Sequence, residues 1–230
     1  MQAPSGITSN MQLIEACFAP LAGRALLDVG CGGGNLLGAL AKRGAVPVGV
    51  DPLPSAVAAA QARYPALDIQ EAAAESLPFP EGQFEGAIIL NSLHHFTQDS
   101  VALALTECLR VLVKGAGLLV IEPAARGGYF EVARPVEDET VVRAAALQVL
   151  DAEIAAGRIG CAFRLEYDTA VPVTDADSVL KSLVQVDPAR SERAASCAAE
   201  VQALFNQHVQ TGPRGRFLDQ PMIAYFLQAV

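Results

Sequence analysis

The first half of the chain alternates short apolar runs with segments whose apolar residues recur at helical spacing. Each run is bounded by glycine, proline or an acid, as is typical of strands buried on both faces. The runs lie at 25–30, 46–51, 67–72, 84–91 and 117–123. Strands and helices at such short intervals imply right-handed crossovers. The pattern therefore predicts an α/β fold, with a doubly wound, mostly parallel sheet and helices on both faces.

The second half of the chain departs from this pattern. Residues 127–157 contain no strand-like run and predict one or two helices, interrupted near Pro135. We expect a strand at 161–173, helices at 175–185 and 188–209, and a last strand at 222–230, which brings the sheet to seven strands. Ahead of the first strand, residues 9–23 predict an amphipathic helix that lies over the sheet edge.

Composition limits the classes of partner. Hydrophobic residues make up 52% of the chain and charged residues only 18%, so the chain can bury a core and is not disordered. Acidic residues outnumber basic ones by 25 to 16, which gives a net charge of −9. Nucleic acids and anionic lipid surfaces are bound through clustered Lys and Arg. We therefore expect no nucleic-acid and no membrane partner, and we favour small-molecule or protein partners.

The N-terminus and the cysteine spacing both indicate the cellular compartment. The segment MQAPSGITSN lacks the basic and apolar regions of a signal peptide. The apolar runs are far shorter than the roughly 20 residues of a membrane helix. Five widely spaced cysteines form neither a C-x-x-C motif nor a disulfide framework: Cys17, Cys31, Cys108, Cys161 and Cys197. The sequence therefore predicts a cytoplasmic protein without a metal site.

The strongest chemical signal is the segment LLDVGCGGGNLL, in which an apolar strand runs into a glycine cluster and then a helix. The motif contains an acid and three alternating glycines, Asp28, Gly30, Gly32 and Gly34. Such glycines let the backbone approach a ligand closely and present free amides at a helix N-terminus. The dinucleotide fingerprint needs a further glycine where this chain has Asn35 or Leu37. The upstream acid disfavours a pyrophosphate, so we expect a nucleotide-like ligand that carries positive charge.

A second acid, Asp51, ends the next apolar run along the chain. A carboxylate at that position can accept hydrogen bonds from both hydroxyls of a ribose. Either feature alone has a purely structural explanation, as a tight strand-to-helix turn or as a turn former before Pro52. Together they predict one binding site at adjacent strand ends.

Four collinear blocks resemble the class I S-adenosylmethionine-dependent methyltransferases, specifically the small-molecule group that includes the quinone-biosynthesis methylases. The blocks are LLDVGCGGGNLL, GVDP, AAAESLPFPEGQFEGAIILNSLHHF and LTECLRVLVKGAGLLVIEP. The resemblance covers about residues 20–125 and implies that range as a cofactor-binding core. Within a single domain of residues 1–230, we then expect a helical lid or insertion at 126–160, with C-terminal strands and helices at 161–230 completing the sheet.

The resemblance implies S-adenosyl-L-methionine as cofactor. It places the methionine portion at Gly30–Gly32, the ribose at Asp51, the adenine beside Glu75 and the sulfonium near Asn91. The full set of implied cofactor-binding residues is Asp28, Gly30, Cys31, Gly32, Gly34, Asp51, Pro52, Ala74, Glu75, Asn91 and Leu93. One departure concerns Ala73, which stands where the family usually has an acid for the adenine amino group. Another is the segment VKGA at 113–116, in place of the usual Lys-Pro-Gly-Gly turn.

Candidate catalytic residues are His94 and His95, which follow the fourth predicted strand at the edge where ligands bind in such sheets. Either imidazole can serve as a general base. In the structural alternative, one histidine packs under the loop while the other is solvated. His208, far along a C-terminal helix, is expected to be a surface or packing residue.

Candidate acceptor contacts follow the fifth predicted strand. Tyr129, Phe130 and Arg134 either contact the acceptor or pack a helical cover on the sheet. The acids at 137–139 are expected to be a solvated helix start.

The predicted function is methyl transfer to an O, N or C atom of a small-molecule acceptor, mainly through positioning of the reactants. The alternatives are a non-catalytic protein that binds the same cofactor and a nicotinamide-dependent oxidoreductase. We expect a monomer or a homodimer.

Overall fold

A computed structural model describes residues 2–229, which form an α/β fold around one eight-stranded sheet. Five strands are parallel: β1 (Ala25–Val29), β2 (Val46–Asp51), β3 (Asp68–Glu71), β4 (Gly86–Leu90) and β5 (Leu118–Pro123). The antiparallel strands are β6 (Gly160–Pro172), β7 (Gln210–Gly212) and β8 (Gly215–Gln228). The main strand order is β3-β2-β1-β4-β5-β8-β6, which confirms the doubly wound fold.

The predicted count of seven strands was one too few because β7 was missed. The first half of β8 was also missed, although the strand itself was predicted. β7 pairs only with the start of β8, and β8 begins at Gly215 rather than at 222. The missed segment is polar and contains Pro221, which usually argues against a strand. Here β8 pairs with β6 through this segment, and the carbonyl of Pro221 accepts a hydrogen bond from the amide of Ala124.

The two faces of the sheet carry different helices. Adjacent residues of a strand point to opposite faces, so Leu26 and Leu27 enter different apolar clusters. One face is covered by α4 (Gln98–Arg110) and α6 (Thr140–Ala155). The other is covered by α1 (Asn10–Phe18) and α2 (Asn35–Ala41), while α3 (Pro54–Arg63) packs beside α2.

Helix α1 lies over the middle of the sheet, so the predicted position at the sheet edge was wrong. Its buried residues are Leu13, Ile14 and Phe18. They join a cluster with residues of the five strands β1, β4, β5, β8 and β6, and the Phe18 ring lies 5.9 Å from the Phe226 ring. Three large apolar side chains on one helical face need a broad apolar surface, which the sheet face offers and the edge does not.

The remaining helices form a separate apolar cluster beside the sheet. These helices are α5 (Gly128–Ala133), α7 (Ala176–Val186), α8 (Ser191–Ser196) and α9 (Ala198–His208). The predicted break near Pro135 separates α5 from α6. Among the described residues, no helix is long and apolar enough to cross a membrane.

Candidate active site

The loop between β1 and α2 is fastened to the end of β2 by hydrogen bonds. The amides of Gly30 and Cys31 both donate to the carbonyl of Val50 at 2.9 Å. Asp51, which is 7% exposed, accepts from the amide of Gly32 at 2.9 Å and from that of Leu53 at 2.9 Å. The structure therefore brings the predicted glycine loop and the predicted ribose carboxylate together, and Asp51 also anchors the loop.

The glycines of this loop are required for different reasons. Gly30 has φ +74°, and a Cβ there would lie 2.6 Å from the hydroxyl of Ser92. Gly34 begins α2 with φ +75° and packs against Tyr64. Gly32 has φ +50°, but a Cβ there would meet no atom within 4 Å. Open space above Gly32 is what a ligand lying on this loop needs.

Alanine at the two loop glycines is expected to separate folding from ligand binding. Gly32→Ala should cost about 1–2 kcal/mol of stability through left-handed strain, while its methyl group occupies the open space and weakens cofactor binding. Gly30→Ala should cost roughly 3 kcal/mol, because a clash with buried Ser92 adds to the strain. Urea unfolding and cofactor titration of both variants measure this. Equal stability of the two variants would contradict the close contact between Gly30 and Ser92.

Asp28 is a buried carboxyl without a partner for one of its oxygens. It is 2% exposed, and its Oδ2 accepts no hydrogen bond. Burial, reinforced by the charge of Asp51, raises the pKa of Asp28 to about 7. An orphaned buried carboxyl beside a glycine loop fits a cationic ligand, which would stabilise its ionised form.

A cavity of about 160 Å³ opens next to this loop. It is lined by residues from the ends of β1 and β2, from the segments after β3 and β4, and from the start of α4. They are Val29, Gly30, Pro52, Ala72, Ala73, Ala74, Glu75, His95, Phe96, Thr97 and Ser100. Small-molecule pockets usually enclose about 300 Å³ or more, so this cavity can enclose only part of a nucleoside ligand. It joins four of the predicted cofactor residues to His95.

The other seven predicted cofactor residues do not line this cavity, among them Cys31, Leu93 and Asn91. Cys31 packs with Leu37 and Val57, and burial raises the pKa of its thiol to about 12. The side chain of Leu93 is fully buried in the core. Asn91 is exposed and has φ +54°. Cys31 and Leu93 can therefore contact a ligand only through their backbone.

The turn after β4 is built around Glu122, which the sequence analysis missed. This glutamate lies in β5 and is 1% exposed. Its Oε1 accepts from the amides of Ser92 and Leu93, each at 2.9 Å, and its Oε2 contacts Nδ1 of His94. An acid inside the apolar run LLVIEP was the available signal, because a fully buried glutamate needs partners.

Helix α6 meets this turn through Glu139. The carboxylate oxygen Oε1 of Glu139 lies 3.6 Å from Nε2 of His94, an ion-pair separation rather than a hydrogen bond. Its Oε2 accepts two hydrogen bonds from the guanidinium of Arg143, at 3.0 and 2.5 Å. The prediction that the acids at 137–139 form a solvated helix start was wrong for two of the three, since Glu137 pairs with Arg190 and only Asp138 is exposed.

The two adjacent histidines titrate in opposite directions. Burial alone lowers the pKa of His94, but the carboxylates of Glu122 and Glu139 outweigh it and raise the pKa to about 9. Burial also lowers the pKa of His95, and the neighbouring charge of His94 lowers it further. The ring centroids are 4.1 Å apart, and only His95 lines the cavity. At neutral pH, His94 is an imidazolium and His95 is a neutral imidazole.

The charge on His94 should make its contribution to stability depend on pH. Because the pKa of His94 is higher in the folded state, its protonated ring stabilises the folded protein. This stabilisation is fully present below the unfolded-state pKa of 6.5 and is lost as the pH rises through about 9. The stability gap between wild type and His94→Gln should therefore narrow between these pH values by on the order of 2–3 kcal/mol. Urea unfolding at both ends of the window measures it. A pH-independent gap would contradict the assignment, and His208→Gln on α9 is the matched control.

The three predicted acceptor contacts occupy different surroundings. Tyr129 packs in the cluster of α5, α7 and α9, with its hydroxyl 3.4 Å from that of Ser182. Arg134 is exposed and pairs with Glu131. Phe130 is buried, and the guanidinium of Arg143 lies 5.3 Å from its ring centroid. Of the three, Phe130 alone is connected to the histidine cluster, through Arg143.

Comparison with known proteins decides the family. A family described as "Methyltransferase domain" matches residues 27–121. A ubiquinone biosynthesis O-methyltransferase of Paracidovorax citrulli is 30% identical over 161 residues, which are 58% of this chain and 67% of that protein. The chain belongs to the class I S-adenosylmethionine-dependent methyltransferases. The cofactor of this family is S-adenosyl-L-methionine, which confirms the cofactor prediction.

Other methyltransferase relatives match over shorter spans. An uncharacterised methyltransferase of Synechocystis sp. is 33% identical over 100 residues, which are 44% of this chain and 47% of that protein. The chain thus spans about half the length of several curated relatives that it matches.

Solved structures confirm the methyltransferase fold at low identity. YcgJ of Bacillus subtilis superposes with a TM-score of 0.62 at 18% identity, covering 96% of this chain and 97% of that one. The [4+2]-cyclase SpnF superposes with a TM-score of 0.57 at 20% identity, covering 95% of this chain and 80% of that one. Because a cyclase shares the fold, the reaction has to be argued from the site.

Proposed function

We propose that this chain transfers the methyl group of S-adenosylmethionine to an O, N or C atom of a small-molecule acceptor. The observation that carries the proposal is the orphaned, buried Asp28 beside the loop that Asp51 anchors. A cationic, ribose-bearing ligand satisfies both carboxylates, whereas the diphosphate of a nicotinamide cofactor would be repelled by them. The family to which the chain belongs supports the same reaction.

The cofactor-binding residues divide by the part of the ligand that each would hold. Asp28 and the loop Gly30–Gly34 would hold the methionine portion. Asp51 would bind the ribose with the lone pairs that its two backbone contacts leave free. Ala74 and Glu75 would border the adenine, with Pro52 beside them. When bound, the cofactor supplies an electrophilic methyl group, so the chain needs chiefly to orient the acceptor and exclude water.

His95 is the residue we assign to the acceptor side. It lines the cavity and remains accessible to solvent. Its pKa is lowered because the surrounding protein partly desolvates the ring and because His94 is charged, so the ring is neutral. A neutral imidazole can accept the acceptor's proton as the new bond forms. His94 is buried and fully engaged by carboxylates, so it supports the site without contacting the acceptor.

Residues 126–160 are the segment we propose as the lid over the acceptor, within a single domain that has its cofactor-binding core at 20–125. Support comes from α6, which packs against the turn at Leu93–His95. The net charge of −9 favours an uncharged or cationic small molecule over nucleic acid as acceptor. We further propose that the protein acts in the cytoplasm as a monomer or homodimer.

Methyl transfer can be tested with isotope-labelled cofactor and the small-molecule fraction of a cell lysate. The expected result is label in at least one metabolite, absent when Asp51→Ala replaces the wild type. A parallel thermal-shift series should show stabilisation by S-adenosylhomocysteine and none by NAD. Stabilisation by NAD alone would overturn the proposal, as would cofactor binding without any labelled product.

Proton release on cofactor binding is expected to report on Asp28. Its pKa of about 7 is raised in the free protein, so part of the population is protonated at neutral pH. A bound cation favours the ionised carboxylate, so binding should release up to about one proton, and affinity should rise with pH up to tenfold per unit below the pKa. Calorimetry in two buffers of different ionisation enthalpy measures the release. Asp28→Asn should abolish it, the exposed Asp68→Asn should not, and no release in wild type would contradict the assignment.

A further inference from the structure

Glu139 connects a helix outside the cofactor-binding core to the two histidines. It directly precedes α6 and lies 44 positions after His95 in the chain. Its side chain is 14% exposed, and its two oxygens face His94 and Arg143. The sequence gives no hint of this contact, since the surrounding acids are typical of an exposed helix start.

We propose that Glu139 is a positioning residue which, together with Glu122, holds a charged His94 ring beneath His95 and so keeps His95 neutral and in place at the cavity. This inference rests on the proposed methyl-transfer function for the role of His95. The electrostatic part stands independently of that function, because it concerns only groups of this chain.

Charge balance around His94 supports the proposal. Two carboxylates face it, Glu122 from β5 and Glu139 from the start of α6. Arg143 from α6 compensates one of these charges through its hydrogen bonds to Glu139. The second carboxylate remains uncompensated unless the His94 ring is protonated, and buried charges require a partner. The imidazolium therefore completes a neutral cluster.

The charges of this cluster act on the neighbouring ring of His95. Its ring lies 4.1 Å from the ring of His94, centroid to centroid. The charges that act on it are His94 in the same turn, Glu122 from β5, Glu139 from α6 and Arg190 from the turn between α7 and α8. Burial and the charge of His94 are the largest effects, and together with Arg190 they lower the pKa of His95. The carboxylates of Glu139 and Glu122 act in the opposite direction but do not outweigh them. If His94 lost its proton, His95 would gain one more readily.

Glu139→Gln is the decisive variant because glutamine keeps the shape and the hydrogen-bond acceptor for Arg143 but removes the charge. Glu131→Gln is the matched control, since Glu131 lies in the preceding helix α5 and pairs with the exposed Arg134 rather than with His94 or Arg190. Glu139→Asp restores the charge on a shorter side chain and should restore the wild-type behaviour at least in part. If Glu139→Gln does not fold, Glu139→Asp is measured instead, and we expect an intermediate shift of the His94 titration midpoint.

Histidine ring NMR on the free, full-length protein tests the electrostatic claim without cofactor or acceptor. The chain has three histidines, so His95→Gln and His208→Gln variants suffice to assign the ring signals. In wild type, the His94 ring should remain protonated well above neutral pH while His95 is already neutral. In Glu139→Gln, the His94 midpoint should fall by about one unit or more. In His94→Gln, which removes the charge itself, the His95 midpoint should rise by a similar amount. Unchanged midpoints, or a neutral His94 ring in wild type at neutral pH, would overturn the proposal.

A pH profile of methyl transfer tests the consequence for the reaction. Because His95 is protonated more readily when the charge of His94 is removed, kcat of His94→Gln should fall about tenfold on the acidic side of the profile and stay close to wild type on the basic side. The KM for the cofactor should not change. A loss of activity that is equal at every pH would overturn the positioning role. Since the NMR result needs no activity, failure of this proposal and failure of the proposed function can be told apart.

Discussion

Asp51→Ala is expected to weaken cofactor binding by at least about a hundredfold. The carboxylate holds the glycine loop through the amide of Gly32 and the segment after β2 through the amide of Leu53. Hydrogen bonds to a charged group contribute about 1.5–3 kcal/mol each. Loss of the loop anchor and of the proposed ribose contacts together therefore exceeds the roughly 2.7 kcal/mol that corresponds to a hundredfold change. Calorimetric titration with S-adenosylhomocysteine measures the effect.

Two further variants serve as an intermediate case and as a control for Asp51→Ala. Asp51→Asn retains one carboxamide oxygen as an acceptor, so its affinity should fall between wild type and Asp51→Ala. Asp68→Ala removes an exposed acid from the neighbouring strand and should leave the affinity unchanged. Binding that is equally tight in Asp51→Ala and wild type would show that the ligand site lies elsewhere.

Glu122→Ala should be the most damaging single substitution for stability, at a cost of about 3–5 kcal/mol. The truncation leaves the amides of Ser92 and Leu93 without an acceptor and removes the nearest carboxylate from His94. Breaking a buried ion pair by deleting one partner costs about this much, because the other charge remains buried. Two unsatisfied buried amides add to it.

Urea unfolding at neutral pH measures this loss. Glu166→Ala is the matched control, because Glu166 is an exposed acid on β6 that pairs with Arg126 and Arg164. Exposed pairs contribute about 1 kcal/mol or less, so the control should unfold near the wild-type midpoint. Similar losses in both variants would mean that Glu122 does not organise the turn after β4.

The contact between the glycine loop and Asp51 was predictable because its signals are local in sequence. The acid, the alternating glycines and Asp51 lie at the ends of neighbouring parallel strands, and the sheet topology brings such ends together. The five parallel strands were likewise visible as bounded apolar runs. What the motif did not reveal is that both oxygens of Asp51 bind backbone amides of this chain.

The cluster around His94 and His95 was not predictable, because its contacts join residues far apart in sequence. In the sequence, His94 and His95 are equivalent candidates, and only the contacts of His94 with Glu122 and Glu139 distinguish the two. Glu139 looked like part of a solvated acidic patch, and only the position of α6 shows that it is partly buried. The strand β7 was missed for a related reason, since a three-residue polar strand has no pattern of its own and exists through pairing with β8.

We propose that the loop fastened by Asp51, with the orphaned Asp28 beside it, binds S-adenosylmethionine. Calorimetric titration of the wild-type protein with S-adenosylmethionine, in two buffers of different ionisation enthalpy, tests this most directly. We expect one site per chain, release of protons near neutral pH, and loss of binding in Asp51→Ala. Absence of binding up to about 1 mM ligand, the upper end of usual enzyme affinities, would contradict it, as would binding that Asp51→Ala leaves unchanged.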